Sequence, residues 1–261
     1  MKRCDEMKIW NKTKNIFIAV ILVLAIWQFV ILITDIEKAL FPSPLMVLEA
    51  MISMIADGSL WKHLQVSLGR FFVGYVSAAV SAILLGLILG RLTKVWEIVD
   101  PIVQLLRPVA PIAWAPFIVL IFGIGNMPAI VIIFIAAFFP ILLTTVSGVK
   151  NVDATYLKLA SNLEIKNSQL MRKIIFPAAF PAIASGLHIG IGTAWIFLVS
   201  GEMVGAQSGL GYLIIDARNL LRLDLVLAGI ILIGFCGLLL DKAVRLLEKS
   251  IEQQWGMVAN D

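Results

Sequence analysis

The sequence predicts an all-α integral membrane protein with about six transmembrane helices. Of its 261 residues, 60% are hydrophobic and 15% are charged, whereas soluble domains average about 45–50% and about 25%. The apolar residues also occur in long blocks and not in amphipathic stripes. A helical block of about 20 apolar residues crosses the roughly 30 Å hydrocarbon layer. Helices are expected because an isolated strand leaves backbone polar groups unsatisfied in lipid.

Six apolar blocks of the chain are long enough to be spans. The first block is too long for a removable signal peptide and has no small-residue cleavage site, so we expect it to remain as an anchor. We predict a single transmembrane domain over residues 1–261, with the anchor helix and an external loop in 1–60 and the core region in 61–250. The predicted spans are 16–34, 71–90, 98–122, 128–148, 183–204 and 226–246.

The basic residues predict the side of the membrane on which each loop lies. Most of the 21 Lys and Arg residues fall on the side of the N-terminus. Cytoplasmic loops are enriched in these residues, so both termini are predicted to be cytoplasmic. The formal net charge of +4 is then a sign of topology and not of nucleic-acid binding.

The sequence carries no recognisable motif for catalysis or metal binding. It has no Ser-His-Asp arrangement, no metal-ligand spacing of His, Cys and carboxylates, and no Gly-x-x-x-x-Gly-Lys-Ser/Thr phosphate loop. Cys4 is predicted to be cytoplasmic and Cys236 lies inside the last predicted span, so no disulfide is expected. We expect no catalytic residue, no metal and no cofactor bound by this chain.

The three outer loops have different patterns. Residues 35–65 contain Phe-Pro-Ser-Pro and then apolar residues at helical spacing, with a break at Asp57-Gly58. This pattern fits a short helix along the membrane or a plain connecting loop. Residues 123–128 predict a tight turn, and residues 205–225 predict a short re-entrant or surface element.

Prolines inside the third predicted span mark a possible transport pathway. Each interior proline removes a backbone hydrogen bond and bends the helix. A bilayer tolerates such breaks where a neighbour or a wet cavity satisfies the freed carbonyls. This favours a kinked helix that lines a pathway over simple packing curvature. The pathway candidates are Pro108, Pro111, Trp114, Pro116, Trp195 and Glu202.

Charged and small residues within the spans have several interpretations. Arg107 is close enough to the cytoplasmic end of its span to extend its guanidinium to the surface. Glu202 could gate a pathway, pair with Arg218 or Arg222, or lie in the headgroup layer. Glycines four residues apart, at 86 and 90 and at 186 and 190, favour close helix packing.

A polar segment, 151–176, separates the fourth and fifth spans. Asp153 can cap a first helix, on which Tyr156, Ala160 and Leu163 share one face at i, i+4 and i+7. Asn167 or Ser168 can cap a second helix, 169–176, which the prolines at 177 and 181 are expected to end. The segment is either a docking element for a soluble partner or a loop that covers its own bundle.

The same segment resembles a cytoplasmic pattern in the membrane subunits of bacterial ATP-binding cassette (ABC) importers. That pattern is Glu-Ala-Ala, three residues, Gly, nine residues, Ile, one residue, Leu-Pro. Lys158-Leu159-Ala160 stands at the Glu-Ala-Ala position, Glu164 at the Gly position, and 174–177 at the end. The spacing fits throughout, and the identities match at Ala160, Ile174 and Pro177.

Further stretches resemble the branch of this family that imports nitrate, sulfonates and taurine. They include FPSP (41–44), LRPVAPIAWAPFIVLIFGIG (106–125), FPAAFPAIASGLHIGIGTAW (176–195), EMVGAQSGLGYLI (202–214) and the C-terminal GLLLDKAVRLLE (237–248). The resemblance implies a type I importer permease with a MetI-like fold in a bacterial inner membrane. It implies two ATPase copies that use ATP and Mg²⁺, a solute-binding protein and a permease homodimer. The implied ATPase-coupling residues are Tyr156, Lys158, Leu159, Ala160, Leu163, Glu164, Ile174 and Pro177.

Two departures from the family pattern affect the expected geometry. Glycine at the bend can end a helix in the left-handed conformation, at a site where another residue costs roughly 1–2 kcal/mol. We therefore expect Glu164 to avoid that conformation, through a tighter turn or a longer first helix. Lys158 reverses the charge of the usual Glu, which predicts an acidic residue on the partner.

Two other functions remain as alternatives at this stage. A self-sufficient secondary carrier commonly shows internal repeats and ionisable residues at the membrane midplane, and the sequence has no convincing repeat. A membrane-embedded enzyme would require a cluster of nucleophile, base or metal ligands, which the sequence does not provide.

Overall fold

The described part of the chain folds almost entirely into helices. The computed structural model describes residues 2–33 and 41–254, and no strand occurs within those two ranges, which confirms the all-α class. A 3₁₀ turn (Pro111–Trp114) precedes α5, and a π turn (Met171–Ile175) precedes α9. The α-helices are α1 (Lys2–Ile33), α2 (Pro44–Ala56), α3 (Ser59–Arg91), α4 (Thr93–Leu106), α5 (Ala115–Phe122), α6 (Asn126–Lys150), α7 (Ala154–Asn162), α8 (Asn167–Leu170), α9 (Phe176–Gly205), α10 (Leu210–Asn219) and α11 (Leu223–Gln254).

Four helices of the described chain are long and apolar enough to cross a membrane. A fifth span is present if the bent pair of α4 and α5 is counted as one. The apolar part of α1, Phe17–Ile33, is shorter, and Thr34, where the first predicted span ends, lies outside the described residues. The four long helices are Ser59–Arg91, Asn126–Lys150, Asn167–Gly205 and Leu223–Leu246.

The third predicted span is broken into two helices. Instead of one kinked helix over 98–122, α4 and the 3₁₀–α5 element meet at a bend of 85°. The break falls at Ala110, whose ψ of 130° is extended. The residue before a proline is pushed out of the helical region, so Pro111 explains the position of the break. Arg107, which precedes Pro108, stays helical with φ −54° and ψ −44°.

The loop between the first two predicted spans contains a short helix, which is one of the two alternatives that the sequence left open. Ser43 caps α2, its Oγ accepting the Met46 N–H at 3.4 Å, and Pro44 occupies the first turn. The chain then turns at Gly58, whose φ is +77°, as the Asp57-Gly58 break predicts. Helix α3 begins at Ser59, well before the predicted start of the span at 71.

Helix α6 packs between α3 and α9 through glycines of both neighbours. A Cβ added at Gly90 of α3 would lie 2.6 Å from Val149 Cβ, and one added at Gly86 would lie 2.7 Å from Thr145 Cβ. On the other side, a Cβ at Gly190 of α9 would lie 3.0 Å from the Ile141 side chain. Such contacts leave no room for larger residues, so the predicted packing role of both glycine pairs is confirmed.

The chain divides into two compact units. One unit comprises Met1–Leu60 with Leu213–Ile231, and the other comprises Trp61–Tyr212 with Leu232–Asp261. The second unit contains the α3–α6–α9 packing, the polar segment and all the pathway candidates of the sequence analysis.

Candidate functional site

Helix α7 begins at a carboxylate cap, as predicted. The Thr155 N–H donates to Asp153 Oδ1 at 2.8 Å, and α7 starts at the intervening residue. The backbone hydrogen bond from Thr155, followed by one from its side chain, holds the pKa of Asp153 below its ordinary value. The cap fixes the residue at which α7 begins.

The two faces of α7 have opposite environments. Ala160 is 2% exposed and packs in a cluster with Val149, Leu170 and Ile175. Tyr156, Leu159 and Leu163 are instead 56%, 56% and 64% exposed. Ala160 therefore faces the bundle and does not share the solvent-facing side of α7. That exposed apolar side consists of Tyr156, Leu159 and Leu163, at positions i, i+3 and i+7. Lys158 is also exposed.

The bend after α7 is a left-handed helix ending. Glu164 has φ +50°, and the Ile165 N–H donates to the Ala160 carbonyl at 3.0 Å. This hydrogen bond is the one that defines a Schellman ending. The expectation that Glu164 avoids the left-handed conformation is wrong. The hydrogen bond and the packing of Ile165 against the Ala160 cluster offset its steric cost.

The second helix of the polar segment does not stop before the membrane. Residues Asn167–Gly205 form one continuous helix, so the expected end at Pro177 is wrong. The π turn explains this, because the Phe176 N–H bonds back to the Met171 carbonyl and shifts the hydrogen-bond register just before the proline. The expected side-chain cap is also absent, since the N-cap is Lys166. Ile174 is half-buried against the Ala160 cluster, and Pro177 is half-buried at the start of α9.

A cavity of about 660 Å³ lies between α7 and the ends of α3 and α6. Its charged lining residues are the cations Arg91 and Lys150 and the carboxylate Glu164. Its lining residues are Gly90, Arg91, Thr93, Val149, Lys150, Leu157, Ala160, Glu164, Ile165, Asn167, Leu170 and Ile175.

A second cavity, of about 390 Å³, lies at the break between α4 and the 3₁₀ turn. Arg107 is the only charged residue that lines it, and Pro111 is the only pathway candidate among its lining residues. Phe139, Phe197 and the two threonines Thr144 and Thr193 complete much of the wall. The Thr193 hydroxyl is within 3.1 Å of the Ala136 carbonyl on α6, so it also joins the two helices.

The other pathway candidates lie outside this cavity. Trp114 packs against the cluster of Ala115, Ile118 and Ile132, and the prolines at 108 and 116 are exposed. Trp195 is 7% exposed, and its Nε1–H donates to the Ile233 carbonyl at 3.2 Å. Trp195 therefore fills the interior of the bundle.

Glu202 is fully buried in a polar network that the sequence analysis missed. Its carboxylate accepts from Arg70 Nη1 at 2.8 Å, from Ser67 Oγ at 2.8 Å and from the Gly211 N–H at 2.9 Å. Arg70 also donates to Asn126 Oδ1 at 2.9 Å. The helices α3, α6, α9 and α10 are thereby joined at one point.

The partner of Glu202 differs from both residues that the sequence suggested. Arg222 pairs with Asp224 at 2.7 Å, and the ion pair of Glu202 is made with Arg70. Arg70 lies one residue before the predicted span that begins at 71, so the sequence pattern alone places it in the preceding outer loop. The spacing of Ser67 and Arg70 was an available signal, since i and i+3 share a helix face.

Among the residues whose side chains the structure describes, no group of three or more His, Cys, Asp or Glu is arranged to hold a metal ion. A bundle with four or five helices that are long and apolar enough to cross a membrane defines a multi-pass membrane protein. The chain belongs to the family of binding-protein-dependent transport system inner membrane components, whose sequence profile matches residues 82–253.

Relatives and a solved structure agree with this assignment. A putative ABC transporter permease of Methanocaldococcus jannaschii is 38% identical over 87% of this chain and 86% of its own. The putative aliphatic sulfonates transport permease of Bacillus subtilis is 35% identical over 88% and 83%. The taurine transport permease of Escherichia coli is 35% identical over 90% and 87%. The inward-facing MetNI methionine ABC transporter matches the fold with a TM-score of 0.50 and 24% identity, covering 71% of this chain and 94% of that one.

Family membership makes the chain a transmembrane permease subunit of an ABC importer, in preference to a secondary carrier. The family is one of transporter subunits and not of enzymes. It implies an ATPase partner, a binding-protein partner and a multi-pass position in the inner membrane.

Proposed function

We propose that α7 and the bend at Glu164 dock on a separate ABC ATPase and couple ATP hydrolysis to transport. The observation that carries this proposal is the row of exposed apolar side chains on α7, Tyr156, Leu159 and Leu163. Exposed apolar residues on an otherwise polar segment are typical of a protein interface. Lys158 lies on the same helix and supplies a charge that an acidic residue of the ATPase would complement.

The inward face of α7 supports transmission of force into the bundle. Ala160 packs with Val149 of α6 and Ile175 of the π turn. A partner that displaces α7 would therefore also displace the two elements on which α7 packs, because close-packed cores deform little. The chain has no phosphate loop of its own, which supports a partner as the site of ATP and Mg²⁺ binding. Ile174 and Pro177 would serve as packing residues of this coupling segment.

We further propose a homodimer that works with two ATPase copies, and cytoplasmic N- and C-termini. About six predicted spans form only half of a pathway, which supports a pair of permease subunits. The excess of basic residues on the N-terminal side supports the orientation. With that orientation α7 would lie on the cytoplasmic side, where the ATPase would bind.

We propose that the solute is a small compound of the sulfonate, taurine or nitrate type, delivered by a solute-binding protein. The names of the relatives support this class. The cavity at Arg107 supports a pathway at the α4–α5 break, because it combines one guanidinium with largely apolar walls. A guanidinium can bind the oxygens of a sulfonate or nitrate in a bidentate manner.

The docking proposal is tested with the variant Leu159→Glu/Leu163→Glu. Two charges on the exposed side of α7 should abolish copurification of the co-expressed ABC ATPase partner, and uptake of labelled taurine, nitrate or ethanesulfonate should stop. The matched control is Ile124→Glu, which also places a charge at an exposed apolar position, 68% exposed in the outer turn, and should leave copurification unchanged. Normal copurification by the double variant would contradict the docking proposal.

A further inference from the structure

The cavity beside α7 is lined by the last residues of two membrane helices. Arg91 ends α3 and Lys150 ends α6, and both side chains line the 660 Å³ space. In the described part of the chain, Arg91 has no carboxylate within ion-pairing distance, and Lys150 Nζ lies 5.3 Å from the centre of the Trp96 ring. Two cations at the ends of spans lie at the depth where lipid headgroups begin.

An exposed apolar track leads from this cavity down α3. Leu84, Ile88 and Arg91 lie at i, i+4 and i+7, so they share one helix face. Leu84 is 57% exposed and Ile88 is 51% exposed, and Arg91 is exposed above them. A cation above two apolar side chains matches the order of a phosphate and its acyl chain in a phospholipid.

We propose that the cavity binds the headgroup of an anionic phospholipid, whose acyl chain lies along Leu84 and Ile88. Glu164 lines the same space, so Arg91, Lys150 and Glu164 together carry one net positive charge. That balance matches a phosphodiester with a single negative charge better than a phosphomonoester with two. The hydroxyl of Thr93 and the amide of Asn167 line the cavity as additional hydrogen-bond donors. Basic pockets between membrane helices bind anionic headgroups in this way.

A bound headgroup would connect α7 to the membrane helices. Leu157, Ala160 and Glu164 of the α7 region line the cavity opposite Arg91 and Lys150. The lipid would therefore fix the position of α7 relative to the ends of α3 and α6. Lipid binding to the chain does not depend on the ATPase proposal, so the two proposals can fail separately.

The test measures lipid retained by the purified chain. Native mass spectrometry, with equal amounts of phosphatidylglycerol and phosphatidylcholine, should show preferential retention of phosphatidylglycerol. Arg91→Gln and Lys150→Gln should each weaken this retention about five-fold, the equivalent of about 1 kcal/mol per cation. The control Lys94→Gln/Lys173→Gln removes two exposed cations that do not line the cavity and should change retention little. Equal losses in the cavity and control variants would overturn the proposal.

Two further arms identify the source of the bound phosphate. Leu84→Asn/Ile88→Asn should weaken phosphatidylglycerol retention if the acyl chain follows α3. Displacement of the lipid by millimolar inorganic phosphate, together with no effect of that double variant, would show a free-anion site and overturn the lipid assignment. Glu164→Gln should strengthen retention, and this gain does not depend on whether the Arg91 and Lys150 variants fold. Unchanged or weaker retention in Glu164→Gln would contradict the charge balance.

Discussion

The buried ion pair between Arg70 and Glu202 gives the sharpest stability prediction. The two side chains are 3% and 0% exposed, and Nη1 lies 2.8 Å from Oε1. Glu202→Gln keeps the size and the acceptor oxygen but leaves the Arg70 charge buried without a counter-charge. Removing one partner of such a pair costs about 3–5 kcal/mol, which corresponds to roughly 6–20 °C in the unfolding temperature at about 2–4 °C per kcal/mol.

Thermal unfolding in detergent measures this loss against a matched control. Arg222→Gln breaks the pair with Asp224, where the arginine side chain is 54% exposed, and should cost at most about 1 kcal/mol because exposed pairs contribute little. The double variant Arg70→Gln/Glu202→Gln removes both charges and should recover part of the loss. If the free energy of unfolding of Glu202→Gln is within about 1 kcal/mol of that of the unchanged protein, then leaving the buried Arg70 charge unpaired does not carry the expected cost.

The other predictions concern the bend, its cap and the central packing. Glu164→Gly removes the steric cost of a non-glycine residue in the left-handed conformation, about 1–2 kcal/mol. It also increases the conformational entropy of the unfolded chain, which destabilises the folded state by about 0.4–1 kcal/mol. Hydrogen exchange in α7 should therefore slow by roughly two- to five-fold. Faster exchange would contradict the claim that Glu164 is strained in its left-handed conformation. The pKa of Asp153 is lowered in the folded state, so its cap stabilises α7 above the unfolded pKa and is lost as pH falls through the lower folded value. The protection factor of the Thr155 amide, which corrects the exchange rate for its intrinsic pH dependence, should fall below that pH, and in Asp153→Asn it should be nearly independent of pH over this range. Gly186→Val places side-chain atoms against Thr144 and Ile141 of α6 and should destabilise the bundle by about 1–3 kcal/mol in thermal unfolding, whereas Gly192→Val, with open space around it, should not.

The parts of the fold that depend on local pattern were predictable from the sequence. Block hydrophobicity predicts the long helices because their burial in lipid depends on composition and length. The Asp153 cap and the glycine pairs were also predictable, since each requires particular residue types at fixed spacing. The Schellman ending at Glu164 was not, because it depends on the packing of Ile165 against a cluster drawn from separate helices.

The missed features of the site depend on tertiary contacts. Arg70 and Glu202 are separated by more than a hundred residues, and no local pattern relates them. The π turn before Pro177 was also unpredictable, because a one-residue shift in hydrogen bonding leaves no composition signal. The placement of Trp195 in the core and of Arg107 at a cavity wall likewise follows from how α9, α6 and the broken helix meet.

The uninterrupted helix Asn167–Gly205 has a mechanical consequence. Its 39 residues extend roughly 58 Å at about 1.5 Å per residue, with the bend at Glu164 just before one end and the Glu202 carboxylate near the other. A rod without a joint carries a push or a twist along its whole length. A tilt imposed at Asn167 would therefore displace the other end of the helix at the same time. There the ion pair of Glu202 with Arg70 would restrain the helix end, so the helix would rotate about that point.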